Sequence, residues 1–136
     1  MRPILLDTCT LIFLNEQAPL AAPAVATMRA AKEDGLTYIS PISAWEIGSL
    51  TSRGRLQLLT RPERWFANLF EVPGVKLAEM SPDLLIASSF LPGKPPRDPF
   101  DRIIVATARE LGATLITRDR ALLSYGEQGH VSVVEC

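Results

Sequence analysis

Cysteine and histidine are scarce in this chain of 136 residues, which contains two cysteines and one histidine. Two cysteines are too few for a disulfide framework, so we expect a protein of a reducing compartment. A zinc site built from Cys and His ligands is excluded for the same reason. The single histidine, His130, lies beside a glycine near the end of the chain and is expected at the surface. Acid–base chemistry carried by a pair of histidines is therefore not available.

Net charge and long hydrophobic runs are lacking too. The formal net charge is −1, so no global basic field indicates binding to nucleic acid. Asp7 interrupts the apolar N-terminal residues within a few positions, and this pattern predicts neither a signal peptide nor a membrane span. We therefore expect a cytoplasmic protein with no membrane partner. Lysine is scarce as well, at three against eleven arginines, and arginine is the better fork for phosphate or carboxylate.

The residues that are present describe one globular domain, which we expect to span residues 1–136. Apolar residues make up 47% and charged residues 21% of the chain, as in folded soluble domains. Short apolar runs alternate with helical patterns, which predicts an α/β fold with a mainly parallel central sheet flanked by helices. The predicted strands are 4–6, 37–40, 75–78, 114–117 and 131–134. The predicted helices are 11–14, 21–35, 41–52, 62–70, 81–90, 99–111 and 121–123.

The segment 97–102 begins the most clearly bounded of these helices. Asp98 suits the N-cap and Pro99 the first helical position, Asp101 falls at the third, and Gly112 ends the helix. Both aspartates could be simple caps at the positive end of the helix dipole. Three acids elsewhere in the chain favour a functional interpretation instead.

These three acids are predicted near one edge of the sheet. Asp7 and Asp119 follow predicted strands, and the carboxyl ends of parallel strands form the ligand-binding crevice of such folds. The helices that carry Glu46 and Asp101 each begin close after a strand or loop, so their acids can reach the same crevice. Each acid also has a purely structural alternative: Asp7 as an N-cap, and Glu46 as the partner of Ser43 in a capping box.

A cluster of four acids needs a cation. Two like charges about 4 Å apart repel by roughly 4 kcal/mol at a partly buried site. Oxygen ligands favour Mg²⁺ or Mn²⁺ over zinc. The sequence therefore predicts a site for one of these ions.

Four stretches of the chain, taken together, resemble the PIN-domain family, and more narrowly its VapC toxin branch. The resemblance runs from Leu5 to the last predicted strand and keeps the order of the family's motifs. The stretches are Leu5-Leu6-Asp7-Thr8, Ser43-Ala44-Trp45-Glu46, Arg97-Asp98-Pro99-Phe100-Asp101-Arg102 with Ile104-Val105-Ala106-Thr107-Ala108, and Leu115-Ile116-Thr117-Arg118-Asp119.

The resemblance implies a metal-dependent endoribonuclease that uses Mg²⁺ or Mn²⁺ and hydrolyses phosphodiester bonds by attack of water. Its acidic site would consist of Asp7, Glu46, Asp101 and Asp119. It also implies the toxin of a toxin–antitoxin pair, which limits translation or growth by cutting RNA. Such proteins usually form homodimers and are held inactive by an antitoxin of the VapB type.

The same resemblance leaves some residues in supporting positions. Thr117 matches a position that can lend a hydroxyl to the site, and Asp98 is either a cap or an outer group. The arginines that flank the acids could bind RNA phosphates, or could simply pair with neighbouring aspartates. These arginines are Arg97, Arg102, Arg118 and Arg120.

Other protein classes fit the sequence less well. A haloacid-type phosphatase needs a second aspartate two residues after the first, where this chain has Cys9. A receiver domain needs a late lysine, and none follows Lys94. A catalytically inactive PIN-like protein-binding module stays possible, although intact acids at all four positions argue against it. Three residues of the predicted helix 62–70 have helical spacing, which indicates core or interface residues rather than base-stacking ones: Trp65, Phe66 and Leu69.

Overall fold

The computed structural model describes residues 2–136 and is built on one parallel sheet. Its strands are β1 (Ile4–Leu6), β2 (Thr37–Ile39), β3 (Val75–Leu77), β4 (Thr114–Thr117) and β5 (Ser132–Glu135). Their order in the sheet is β3-β2-β1-β4-β5, and every neighbouring pair is parallel. The prediction of an α/β fold with a mainly parallel sheet is confirmed.

Seven helices formed by residues 2–136 cover the sheet. They are α1 (Thr8–Asn15), α2 (Ala22–Glu33), α3 (Pro41–Ser52), α4 (Pro62–Leu69), α5 (Pro82–Ala87), α6 (Pro99–Leu111) and α7 (Arg120–Glu127). None of them is both long and apolar enough to cross a membrane.

The strand order creates a crevice beside the central strand. After β1 the chain adds β2 and β3 on one side, then returns to add β4 and β5 on the other. The order therefore reverses between β1 and β4, where parallel sheets commonly bind ligands at their carboxyl edge. Leu6 of β1 pairs with Ile116 of β4, so the residues that follow these two strands lie at the same place.

Each face of the sheet carries its own apolar core, because successive strand residues point to opposite faces. On one face Leu5 and Leu115 pack with residues of α6 and α7, including Ile104, Leu122 and Tyr125. The other face is covered by α2 and α4. Its core contains Ile4, Leu6, Ile39 and Ile116, with Trp65, Phe66 and Leu69 packed against it. The prediction that these last three are core residues is confirmed.

Some helix bounds differ from those predicted. Helix α7 runs to Glu127 rather than Leu123, because the Asp119 side chain caps it and three of its residues are buried. Helix α5 ends at Ala87 rather than Phe90. Beyond Ala87 the chain forms tighter turns of the 3₁₀ type, because the amides of Ser89 and Phe90 donate to carbonyl oxygens three residues earlier. By contrast, α3 has the predicted bounds, and α6 has the predicted Asp98 N-cap and a left-handed Gly112 after its last turn.

Gly74 allows the loop before β3 to approach the loop before β2. Its φ is +86°, and a Cβ there would lie 2.9 Å from the carbonyl oxygen of Lys32 and 3.0 Å from Cα of Gly35. We expect Gly74→Ala to lower the free energy of unfolding by about 1–3 kcal/mol, because strain and a backbone clash coincide. Urea denaturation followed by circular dichroism measures this.

Gly48 provides the matched control, because a Cβ on this α3 residue meets nothing within 4 Å. Gly48→Ala should raise the free energy of unfolding by up to about 1 kcal/mol through helix propensity. Equal effects of the two substitutions would contradict the close approach at Gly74.

Candidate active site

Asp7 is the most constrained acid of the site. It follows β1 directly, is only 6% exposed, and receives three donors. Its Oδ1 accepts from the Thr8 amide at 2.9 Å, so the predicted N-cap role is confirmed. Its Oδ2 accepts from the Thr117 hydroxyl at 2.7 Å and from the Cys9 thiol at 3.3 Å. Two oxygens with three donors leave Asp7 little freedom to rotate.

Thr117 connects Asp7 to Asp119. Its side chain is fully buried at the end of β4. While its hydroxyl donates to Asp7, its oxygen accepts from the Asp119 amide at 3.0 Å. Asp119 in turn caps α7 by accepting from the Leu122 amide at 3.1 Å. One hydroxyl therefore fixes the relative positions of two predicted site acids.

Glu46 is held by a hydroxyl pair that the sequence did not reveal. Its Oε1 accepts from the Thr8 hydroxyl at 2.6 Å, and Thr8 Oγ1 lies 2.8 Å from Ser43 Oγ. Because Thr8 gives its hydrogen to Glu46, Ser43 donates to Thr8. The signal available in the sequence was position: Thr8 adjoins Asp7, and Ser43 precedes Glu46 by one helical turn.

The capping box proposed for Ser43 and Glu46 is wrong. The N-cap of α3 is Ser40, whose hydroxyl accepts from the Ile42 amide at 3.1 Å, and Pro41 takes the first helical position. Ser43 lies inside the helix and is buried. Glu46 therefore has no capping role and faces the Asp7 region instead.

Asp98 and Asp101 lie at the start of α6 and differ in their surroundings. Asp98 is exposed, and its Oδ1 accepts from the Phe100 amide at 2.8 Å and more weakly from the Asp101 amide at 3.4 Å. Asp98 is therefore a helix cap. Asp101 is half-buried, and its pKa is raised to about 7, first by burial and then by nearby carboxylates.

The electrostatics show that the acids have converged. Burial is the largest cause of the raised pKa of Asp7, and Asp119 raises it further. Burial likewise raises the pKa of Glu46, with contributions from Asp7, Asp98 and Asp119. Within residues 2–136 the only ion pair joins Arg61 to Glu63, so no basic side chain neutralises these acids. The crevice carries uncompensated negative charge.

The possible metal ligands suit a hard divalent cation, because they are carboxylate oxygens whose side chains accept hydrogen bonds from hydroxyl groups. However, no group of three His, Cys, Asp or Glu side chains in the described part of the chain lies at a spacing that could hold an ion. The carboxylates are near enough to raise one another's pKa, but they do not lie at the spacing of metal ligands.

Cys9 is a further residue of this region that the sequence gave no reason to select. Its sulfur lies 3.3 Å from Asp7 Oδ2 and 3.7 Å from Thr117 Oγ1. Burial, followed by the charge of Asp7, raises the pKa of the thiol to about 11. It therefore stays protonated at neutral pH and can donate to Asp7.

The flanking arginines do not form one group. Arg118 donates to the carbonyl oxygens of Pro19 and Cys136 and lies over the ring of Phe13, so it braces the chain terminus. Arg102 donates to the carbonyl oxygen of Pro96 at 2.6 Å. Arg97 and Arg120 are exposed.

His130 is half-buried against the ring of Tyr125, with ring centroids 5.3 Å apart. It is therefore less exposed than expected. Its position near the amino edge of β5 is remote from the crevice.

Comparison with known proteins finds relatives in sequence and in fold. The chain is 35% identical to Ribonuclease VapC22 of Mycobacterium tuberculosis over 95 residues. The aligned segment covers 70% of this chain and 72% of that protein. The structure of FitAB bound to an IR36 DNA fragment matches with a TM-score of 0.60 at 20% identity, covering 97% of this chain and 94% of that one. FitAcB from Neisseria gonorrhoeae matches with a TM-score of 0.53 at 18% identity, covering 96% and 95%.

The two structural likenesses concern the fold. The family itself follows from the sequence match, because the model of the PIN domain matches residues 4–128. That range includes both strands beside the crevice and all the acids described above. This chain therefore belongs to the PIN domain family.

Proposed function

We propose that this protein is an endoribonuclease that hydrolyses phosphodiester bonds with the help of Mg²⁺ or Mn²⁺. The observation that carries the proposal is the convergence of Asp7, Glu46, Asp101 and Asp119, from four separate segments, without a neutralising base. Burying like charges together is costly unless a cation joins them. The name of the VapC22 relative supports RNA as the substrate.

The bound ion would supply Lewis acidity at the scissile phosphate and lower the pKa of a water molecule. Asp7 and Asp101 are the residues proposed to hold it directly. Asp7 is positioned for this by Thr117, and Asp101 by the first turn of α6.

Glu46 and Asp119 are proposed to complete the site. The Thr8 hydroxyl fixes one oxygen of Glu46, and the α7 cap occupies one oxygen of Asp119. Each acid therefore keeps a second oxygen that can accept a proton or orient the attacking water. Asp98 is the cap of α6 and acts on the site through its charge.

The partners are part of the same proposal. The name of the VapC relative supports a toxin of a toxin–antitoxin pair, with a VapB-type antitoxin as its protein partner. We also propose a homodimer that acts in the cytoplasm, which the resemblance of the sequence to VapC toxins implies. Arg97 is exposed beside the Asp98 cap, and Arg102 is half-buried with one guanidinium nitrogen committed to Pro96. Both could bind RNA phosphates.

Asp101→Asn should lower metal-dependent RNA cleavage by at least about 100-fold, because it removes a charge that the cation needs. Cleavage of structured RNAs with Mg²⁺ or Mn²⁺, and then with excess EDTA, measures this. Asp83→Asn is the matched control, since Asp83 is an exposed residue in the first turn of α5 and is not among the charges that raise the pKa of Asp7, Glu46 or Asp101. Asp98→Asn should have a small effect, because asparagine also caps helices.

Three results would contradict the proposal. They are equal activity of Asp101→Asn and wild type, full activity in EDTA, or no cleavage of any RNA by the wild type. The last of these, together with binding to a partner protein, would favour a catalytically inactive protein-binding module.

Thr117→Val should lower kcat by about 10-fold or more and leave KM nearly unchanged. The isosteric change removes one buried donor to Asp7 and the part-buried acceptor of the Asp119 amide, which costs about 1–3 kcal/mol. Thr117→Ser keeps the hydroxyl and should restore most of the rate. If valine and serine variants cleave equally, Thr117 does not position these acids.

The metal-free protein should be more stable at pH 5.5 than at pH 8. The pKa of Asp101 is raised to about 7 from an ordinary value of 3.8, so its ionisation opposes folding above pH 7. As pH falls through 7 the native carboxyl takes up a proton and stability is regained. Melting in EDTA should show a Tm higher by about 2 °C or more at pH 5.5.

Asp101→Asn removes this titration and leaves the ionisable groups outside the crevice as they are in the wild type. It should raise the Tm at pH 8 more than at pH 5.5, and millimolar Mg²⁺ should stabilise the wild type mainly at pH 8. A difference in Tm between variant and wild type that does not change with pH would contradict the assignment.

A further inference from the structure

The Trp45 side chain is exposed and belongs to neither apolar core. This α3 residue is 56% exposed and directly precedes Glu46. The other tryptophan, Trp65, packs against the apolar core below the sheet. Tryptophan, which combines a large apolar ring with a polar N–H group, is enriched at binding interfaces.

The Phe100 ring of α6 packs against the Trp45 ring. The two ring centroids lie 4.6 Å apart with an angle of 32° between the planes. Phe100 itself is half-buried and contributes to the core that contains Leu5 and Leu115. The indole is therefore held at a fixed angle by a neighbour anchored in the core, while its other face remains free.

A cavity of approximately 410 Å³ is lined by the Trp45 ring and includes Glu46 of the proposed site. Its polar lining includes Glu46, Asp98 and Arg53, and its apolar lining includes Trp45 and Phe100. Since Glu46 and Asp98 also perturb the acids of the crevice, the cavity adjoins the proposed cleavage site. It combines an aromatic wall with one exposed arginine, the pair of features found where single-stranded nucleic acids bind.

We propose that Trp45, backed by Phe100, stacks against one base of the RNA strand next to the phosphate held at the acids. Arg53 contacts the phosphate of that nucleotide. The inference rests on the proposed ribonuclease function. Because every base presents a π-face, stacking fixes the position of the strand without selecting its sequence. Trp45 is thus a substrate-positioning residue, and it explains why a chain of net charge −1 can hold RNA locally.

The test compares Trp45→Phe with Trp45→Leu. Both keep an apolar side chain against Phe100, but only phenylalanine keeps a ring. On a defined single-stranded RNA we expect the leucine variant to lose about 10-fold in kcat/KM and the phenylalanine variant much less. A substrate series that carries one abasic nucleotide, moved stepwise across the cut site, then locates the stacked base.

At the stacked position the abasic substitution should slow the wild type by about 10-fold and leave Trp45→Leu unchanged. Equal rates for the leucine and phenylalanine variants would overturn the inference, as would an abasic effect that is the same in wild type and leucine variant. Dissociation of a dimer by Trp45→Leu, measured by light scattering, would also overturn it by making this surface a protein interface.

A binding measurement keeps the inference testable if a Trp45 variant fails to fold. In an Asp101→Asn, Trp65→Phe background Trp45 is the only tryptophan. The change at Trp65 keeps an aromatic ring against the core and removes the exposed hydrogen bond to Asn15. RNA should quench its fluorescence, and the abasic RNA should quench it less. Equal quenching by both RNAs would count against stacking.

The two proposals fail in different ways. If the wild type cleaves RNA with metal but Trp45→Leu is unaffected, only the stacking inference falls. If the wild type cleaves no RNA under any metal condition, the ribonuclease proposal falls.

Discussion

The hydrogen bond from Thr117 to Asp7 joins the two strands between which the strand order reverses, and the rest of the site depends on it. Asp7 follows β1, Thr117 ends β4, and the Asp7 amide donates to the Ile116 carbonyl at 3.0 Å. The main-chain pairing of two buried strands thus sets the distance between the first acid and its donor. Since Thr117 also accepts from the Asp119 amide, the sheet places two acids before any helix contributes.

Helices α3 and α6 then bring the carboxylates of Glu46 and Asp101 to the edge of the sheet where Asp7 and Asp119 already lie. Several acids of the site serve local structure as well, with Asp7, Asp98 and Asp119 each capping a helix. A cap engages one oxygen and favours the ionised form, whereas burial and neighbouring carboxylates raise the pKa. At Asp7 and Asp101 burial is the largest influence. The fold therefore keeps a cluster that opposes its own stability, as is common where function requires convergent charge.

Helix ends that depend on the backbone preferences of single residues could be predicted from the sequence. Pro41, Asp98, Pro99 and Gly112 mark helix ends through their own backbone preferences, so α3 and α6 could be placed closely. The Thr8–Ser43 hydroxyl pair and the bracing of the chain terminus by Arg118 could not, because each joins segments far apart in the chain. Asp7 and Asp119 were predictable as candidates from their positions after strands, and Glu46 and Asp101 from helices that begin close after a strand or loop. That Asp98 is a cap while Asp101 is half-buried depends on how α6 lies on the sheet.

The proposed stacking surface follows from the same geometry. Adjacent residues of a helix point about 100° apart, so Glu46 can face Thr8 while Trp45 lies outside, over the ring of Phe100. On α6, Phe100 and Asp101 are likewise adjacent. Two neighbouring pairs on two helices thus each provide one acid and one ring: the Trp45 ring is the proposed stacking surface, and the Phe100 ring supports it. Because α3 and α6 both pack on the sheet that holds Asp7, the distance from ring to acid is fixed by the core. A nucleotide stacked on Trp45 would therefore lie beside the acids without rearrangement of the helices.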